Sequence, residues 1–375
     1  GAANSTTGNV TIGSVTSSTT VEGTSALTAG QQVIILGIPV TVAANSTLTG
    51  NNGISVISGG DATIAGTLSG GAGAASLNAA GAMMVAGGSV AGATGVTIVG
   101  VNSTEVDGAA NSSGGLVTIG NAASNAPVTL GSTGTVTAQS VKINGAANVT
   151  VAGVVNSVGD ALVSGSNVQE AASGSVNSSA GNVLIAGTTV TDVAGAANSA
   201  GNNVTIGSVT SSTKVESTSA LKAGQQVIIL GIPVNIAANS TLTGAQGINV
   251  TSGGDATIAG TLSGGAGSAN LNAAGAMMVA GGSVAGATGV TIVGVNSTEV
   301  DGAANSSGGL VTIGNAASSA PVTLGSTGTV TAQSVKINGA ANVTVAGVVN
   351  SVGDALVSGS NVQEAASGSV NSSAG

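Results

Sequence analysis

The sequence predicts an all-β chain wound as a parallel β-helix, a β-solenoid rod of coils about 20 residues long set within a longer repeat. Three observations predict it. The first is repetition on a large scale. The stretch Gly-Ala-Ala-Asn-Ser-x-x-Gly-x-Val-Thr-Ile-Gly spans Gly1 to Gly13 and returns from Gly108 to Gly120, from Gly195 to Gly207 (its inner Gly shifted by one place) and from Gly302 to Gly314. The intervals of 107 and 87 residues together make a long period of 194, and residues 195–375 restate residues 1–181 with fifteen differences. The second is a period of two: short β-branched segments alternate apolar and hydroxyl side chains, as a half-buried strand requires. The third is composition. With 64 Gly and no Phe, Tyr or Trp among 375 residues, a globular core built on ring burial is excluded. The recurrent Val, Ile and Thr and the mean hydropathy of +0.51 argue against disorder.

Taken in order, the segments bear this out. Val10-Thr11-Ile12 places Val and Ile on one side and Thr on the other. Val33 to Leu36 is a continuous apolar run, after which Ile38, Val40 and Val42 alternate, with Pro39 marking a strand end or bend because it cannot donate to a ladder. Ile54 to Ile57 and Ala62 to Ala65 follow. Ser76 to Val85 could pass as helix on its Ala and Met, but Gly81 interrupts it and Gly87-Gly88 close it, so strand, turn and strand are expected. Val96 to Val99, Val117 to Ile119, Val128 to Leu130, Val136 to Ala138, Val141 to Ile143, Val149 to Val151, Leu162-Val163 and Val183 to Ile185 continue the series. The strongest segments recur at about 20 to 24 residues, a coil length typical of solenoids, so about nine coils fill one 194-residue unit. Few Asn-Gly or Asp-Gly pairs are available as hairpin turns, which disfavours an antiparallel meander. Stacked coils instead put Val10, Ile12, Val33, Ile35, Val96, Ile98, Val117, Ile119, Val149 and Val151 inside and Thr11, Thr97, Thr118 and Thr150 outside. Asn at bends would form side-chain ladders. The expected units are residues 1–194 and 195–375, the second incomplete and read as an excerpt of a longer array.

Composition also bounds function. Thirteen acidic residues face four lysines, with no Arg, His or Cys. Such a chain lacks the cationic surface and stacking rings that nucleic acids need, and it has neither a disulfide framework nor a thiolate metal site. The longest aliphatic run, Val33 to Val40, is far shorter than the roughly 20 residues of a membrane-crossing helix.

The run Gly59-Gly60-Asp61-Ala62-Thr63-Ile64-Ala65-Gly66-Thr67-Leu68, followed by Ala75-Ser76-Leu77-Asn78-Ala79-Ala80-Gly81, resembles the repeats of filamentous haemagglutinin-type exoproteins of bacterial two-partner secretion. The same flavour recurs at Gly115 to Gly120, Asn148 to Gly153 and Asn182 to Gly187. The resemblance implies a long parallel β-helix on a cell surface serving as the shaft of an adhesin. The chain departs from that pattern in carrying no recognisable secretion or adhesive module and in the near-identity of its long copies.

Two acidic motifs suggest chemistry. Glu105 and Asp107, repeated as Glu299 and Asp301, share a strand face, and paired carboxylates can act as acid and base on a glycoside. No Arg, His or aromatic residue is present to hold a sugar, so a solvated turn is expected instead. Asp61 and Asp255 in Gly-Gly-Asp lack the tandem Gly-Gly-x-Gly-x-Asp of calcium-binding nonapeptides, so no metal site is expected. Asn-x-Ser/Thr triplets, candidate glycosylation acceptors, begin at Asn4, Asn9, Asn45, Asn102, Asn111, Asn148 and Asn177, then at Asn203, Asn239, Asn249, Asn296, Asn305, Asn342 and Asn371. The Met pairs, Met83-Met84 and Met277-Met278, are expected as core filler. The expected function is therefore structural and non-enzymatic: an extracellular or cell-surface filament or adhesin shaft, without cofactor. Head-to-tail and lateral self-association, with a host or neighbouring-cell surface ligand, complete the expectation. The alternative is a polysaccharide-active β-helix enzyme or a carbohydrate-binding module.

Overall fold

Alternation decides where each strand's side chains go. In the strand Gln32–Gly37, Val33 and Ile35 are fully buried while Ile34 and Leu36, which alternate with them, are half-exposed. That pattern repeats through the computed structural model, which describes residues 1–374 and is an all-β parallel β-solenoid of about 18 turns of roughly 21 residues. No helix is present among the described residues. The chain divides into two compact units, Gly1–Gly187 and Thr188–Gly375.

Most turns carry three strands; where the second and third run on without a break they form one long strand, as in Ala161–Glu170. In the first coil the three are Ala2–Ser5, Val10–Gly13 and Thr19–Val21; in the second, Ala26–Ala29, Gln32–Gly37 and Val40–Val42. The first strands of successive coils pair only with one another, as do the second and the third, always parallel and in register. Three faces result, and like position stacks on like position. On the first face of the first unit the inward column runs Leu27, Leu48, Leu68, Val90, Ala110, Val136, Val155 and Val176. One inward column of the second face runs Ile12, Ile35, Val56, Leu77, Ile98, Ile119, Ile143 and Val163. The inner column of the third face runs Val21, Val42, Ile64, Val85, Val106, Leu130 and Val151, and then Glu170.

The predicted inward residues lie inside, with one exception. Ile12 is half-exposed in the first coil, whereas its repeat Ile206 is completely buried. Thr11, Thr97, Thr118 and Thr150 face outward. Ser76 to Val85 forms two strands, Ala74–Ala79 and Ala82–Val85. Only half of each Met pair is core: Met83 and Met277 are buried, but alternation turns Met84 and Met278 outward, in register with Glu105 and Glu299.

Corners are made by small residues and by backbone groups that reach the next coil. Pro39 sits in the corner between Gln32–Gly37 and Val40–Val42, where its carbonyl accepts from the Thr19 N–H at 2.9 Å. Buried hydroxyls satisfy other corner groups: Thr19 Oγ1 donates to the Leu36 carbonyl at 2.6 Å, and Thr104 Oγ1 accepts from the Gly100 N–H at 2.9 Å. Asn ladders form, but along strands and not at bends as expected: Asn167 Nδ2 donates to Asn148 Oδ1 at 2.9 Å and Asn177 Nδ2 to Asn156 Oδ1 at 3.2 Å.

Candidate functional site

The surface is shaped by the lengths of the corners between third and first strands. Four residues, Ala43 to Ser46, turn one corner, and four more, Gly131 to Gly134, turn another. The corners between them are shorter: Ala65-Gly66, Ala86 to Gly88 and Asp107-Gly108. The long corners stand up as walls and the short ones sink between them, leaving a trough. It measures about 720 Å³ and is lined by Asn45, Thr67, Ser89, Asp107, Thr133 and Thr135 among small Ala and Gly. Its walls are four coil steps apart, about 19 Å at the parallel-strand spacing. The second unit repeats it, at about 670 Å³, with Asn239, Thr261, Ser283, Asp301, Thr327 and Thr329.

Asp107 is the charged group of the trough, and its place depends on glycine. A Cβ on Gly131 would lie 1.6 Å from Asp107 Oδ1, so a side chain there would make the carboxylate turn aside. Thr133 Oγ1 donates to the Asp107 carbonyl at 2.7 Å, tying the wall to the floor, and Thr327 does the same to Asp301. Glu105 stands two residues before Asp107 on the same outward side of the strand Ser103–Val106 and its end. Its carboxyl is held above the usual range, first by burial and then by the Asp107 charge and a hydrogen bond with it. The sequence pairs these two carboxylates correctly. The trough itself is invisible in sequence, because it arises from corner lengths in five successive coils.

Asp61 has a different task. Its Oδ1 accepts from the Ala82 N–H of the next coil at 2.8 Å, and Asp255 accepts from Ala276 at the same distance. Asp160 likewise takes the Asn182 N–H at 2.8 Å. In Gly-Gly-Asp the acid thus acts as a corner fastener between coils. Among the described residues no three acids gather as a metal-ligand group, and no helix is long and apolar enough to cross a membrane.

The candidate glycosylation residues divide by what their side chains already do. Asn45, Asn102, Asn239 and Asn296 are exposed at corners. Asn9 and Asn203 accept from the backbone N–H groups of Gln32 and Gln226, each at 3.0 Å. Asn148 and Asn342 accept in ladders from Asn167 and Asn361, and Asn177 and Asn371 donate Nδ2 to Asn156 and Asn350. Asn4, Asn111 and Asn305 lie on the outer side of the first face, and Asn249 on that of the second, where it accepts from Thr251 Oγ1.

Compared with known protein families, curated proteins and solved structures, the chain matches none.

Proposed function

We propose that this chain is shaft: a structural β-solenoid segment of an extracellular or cell-surface filament or filamentous adhesin, without catalytic chemistry. One observation carries the reading. Within each unit every strand pairs in parallel with the equivalent strand of the neighbouring coils, so the fold repeats one element instead of building a singular site. The likeness of Gly59 to Gly81 to filamentous haemagglutinin-type repeats supports the same reading. The carboxylate pair does not favour hydrolysis. No Arg, His or aromatic residue exists in the chain to hold a sugar beside Glu105 and Asp107.

Self-association is part of the proposal. The outer faces carry few charges to hold copies apart, with 4 Lys and 13 acidic residues among 375. Electron microscopy of purified chains carrying one, two and four copies of the 194-residue unit tests both points. Rods whose length grows in proportion to copy number, and which join end to end with concentration, are expected; compact particles of constant length would overturn the reading.

The trough favours a second reading, a carbohydrate-binding module, since it lines a length of surface with hydroxyl, amide and carboxylate groups. Affinity electrophoresis through gels containing a soluble polysaccharide checks it. Retardation lost on Asp107→Ala with Asp301→Ala would favour binding, and unchanged mobility across neutral and acidic glycans would leave the shaft reading alone.

A further inference from the structure

The inner column of the third face is aliphatic from Val21 to Val151, and alternation then delivers Glu170 to the next place in it. Glu170 is 1% exposed, and neither carboxyl oxygen has a hydrogen-bond partner. Its side chain lies against the turn that follows: a Cβ on Gly174 would come 3.0 Å from Glu170 Cγ. No charge offsets it. The strands packed on it within the first unit, Asn148–Val151, Val154–Ser157 and Ser175–Ser178, contain no Lys, Arg, Asp or Glu, nor do residues 183–187 or the rest of its own strand, Ala161–Glu170. Asp160, just before that strand, is exposed and engaged with Asn182. Asp192 is raised first by its own burial, and the charges acting on it are those of Glu216 and Lys214, not Glu170.

An ionised carboxylate without a partner in such a place is strongly disfavoured, whereas the neutral acid is tolerated. We propose that Glu170 is a proton-dependent joint: its coil closes over the neutral carboxylic acid and opens as that acid releases its proton to water. Burial alone pushes the carboxyl up to about 9 from an ordinary 4.5. The folded coil therefore keeps a proton that the opened coil gives up, so closure is fully favoured below about pH 4.5 and is lost progressively as pH rises toward 9. The repeat places an equivalent acid, Glu364, 194 residues on. A solenoid can open one coil without unfolding the rest, so the joint acts locally.

Hydrogen exchange by mass spectrometry on the intact 375-residue chain, from pH 5 to 9, tests this. Peptides covering Ala161–Glu170 and Ser175–Ser178 are compared among wild type, Glu170→Gln and Glu170→Val. Taking ratios at equal pH removes the intrinsic pH dependence of exchange. Opening of wild type relative to Glu170→Gln is expected to grow about tenfold per pH unit across this window, and Glu170→Val, which restores the aliphatic column, should show no such growth. Glu364→Gln should leave the profile unchanged. A wild-type to Glu170→Gln ratio that stays flat with pH would overturn the proposal. Should Glu170→Val pack poorly, the wild type and Glu170→Gln pair still decides it.

Discussion

Gly131 and Asp107 show how single atoms set this surface: the carboxylate fills the space that any Cβ at residue 131 would need. Gly131→Ala is expected to turn the part-exposed Asp107 carboxylate aside at a cost of no more than about 0.5 kcal/mol, read as a nearly unchanged urea midpoint. Gly325→Ala, its repeat, should do the same. Inside the coils the scale of effect follows burial. Ile98 is fully buried and its neighbour Thr97 faces outward. Ile98→Ala should therefore cost about 2–5 kcal/mol and Thr97→Ala no more than about 0.5 kcal/mol, both by equilibrium denaturation. Asp61→Ala removes the acceptor of the Ala82 N–H, a loss of roughly 1 kcal/mol. The loss should be the same with calcium or with chelator, because the carboxylate serves the backbone; a calcium-dependent loss would contradict that role.

At the level of strands, the period of two was legible because a half-buried strand leaves its mark on every second residue. Val33, Ile35, Val96 and Ile98 were readable for that reason, and so were the strand breaks at Pro39 and Gly81. Polar residues that obey the alternation were not readable as buried. Thr19, Thr104 and Glu170 sit at inward positions, yet a hydroxyl or carboxyl in sequence announces solvent, and only the stack discloses the side it faces. Thr104 shows what the concealed hydroxyls do, since it accepts the Gly100 N–H between second and third strands. Thr104→Val keeps the shape and strands that donor, so a loss of about 1–3 kcal/mol is expected from denaturant melts, with the same for Thr298→Val. The trough escaped sequence reading for a different reason. Corner length is a difference between coils, and no local pattern in any one coil encodes it.

Across a whole unit, the parallel register makes the coil the natural quantum of change. Thr47, Thr67 and Ser89 stack in one column, so removing residues 67–88 brings Ser89 to the place beside Thr47 that Thr67 held. The shortened chain should keep its β-type circular dichroism, and its denaturant m-value should fall in proportion to the surface removed. Removing residues 67–77 instead would set inward residues outward and is expected to lose cooperative unfolding. The long repeat obeys the same rule. Ala2–Ser5 and Ala196–Ser199 are both first strands of a coil, so 194 residues amount to a whole number of turns. Unequal recombination between copies of such a gene segment adds or deletes complete turns and leaves every column in phase. Length in this architecture can thus change by whole turns while the cross-section of each coil stays fixed, which is the freedom that a repeat of a whole number of turns confers.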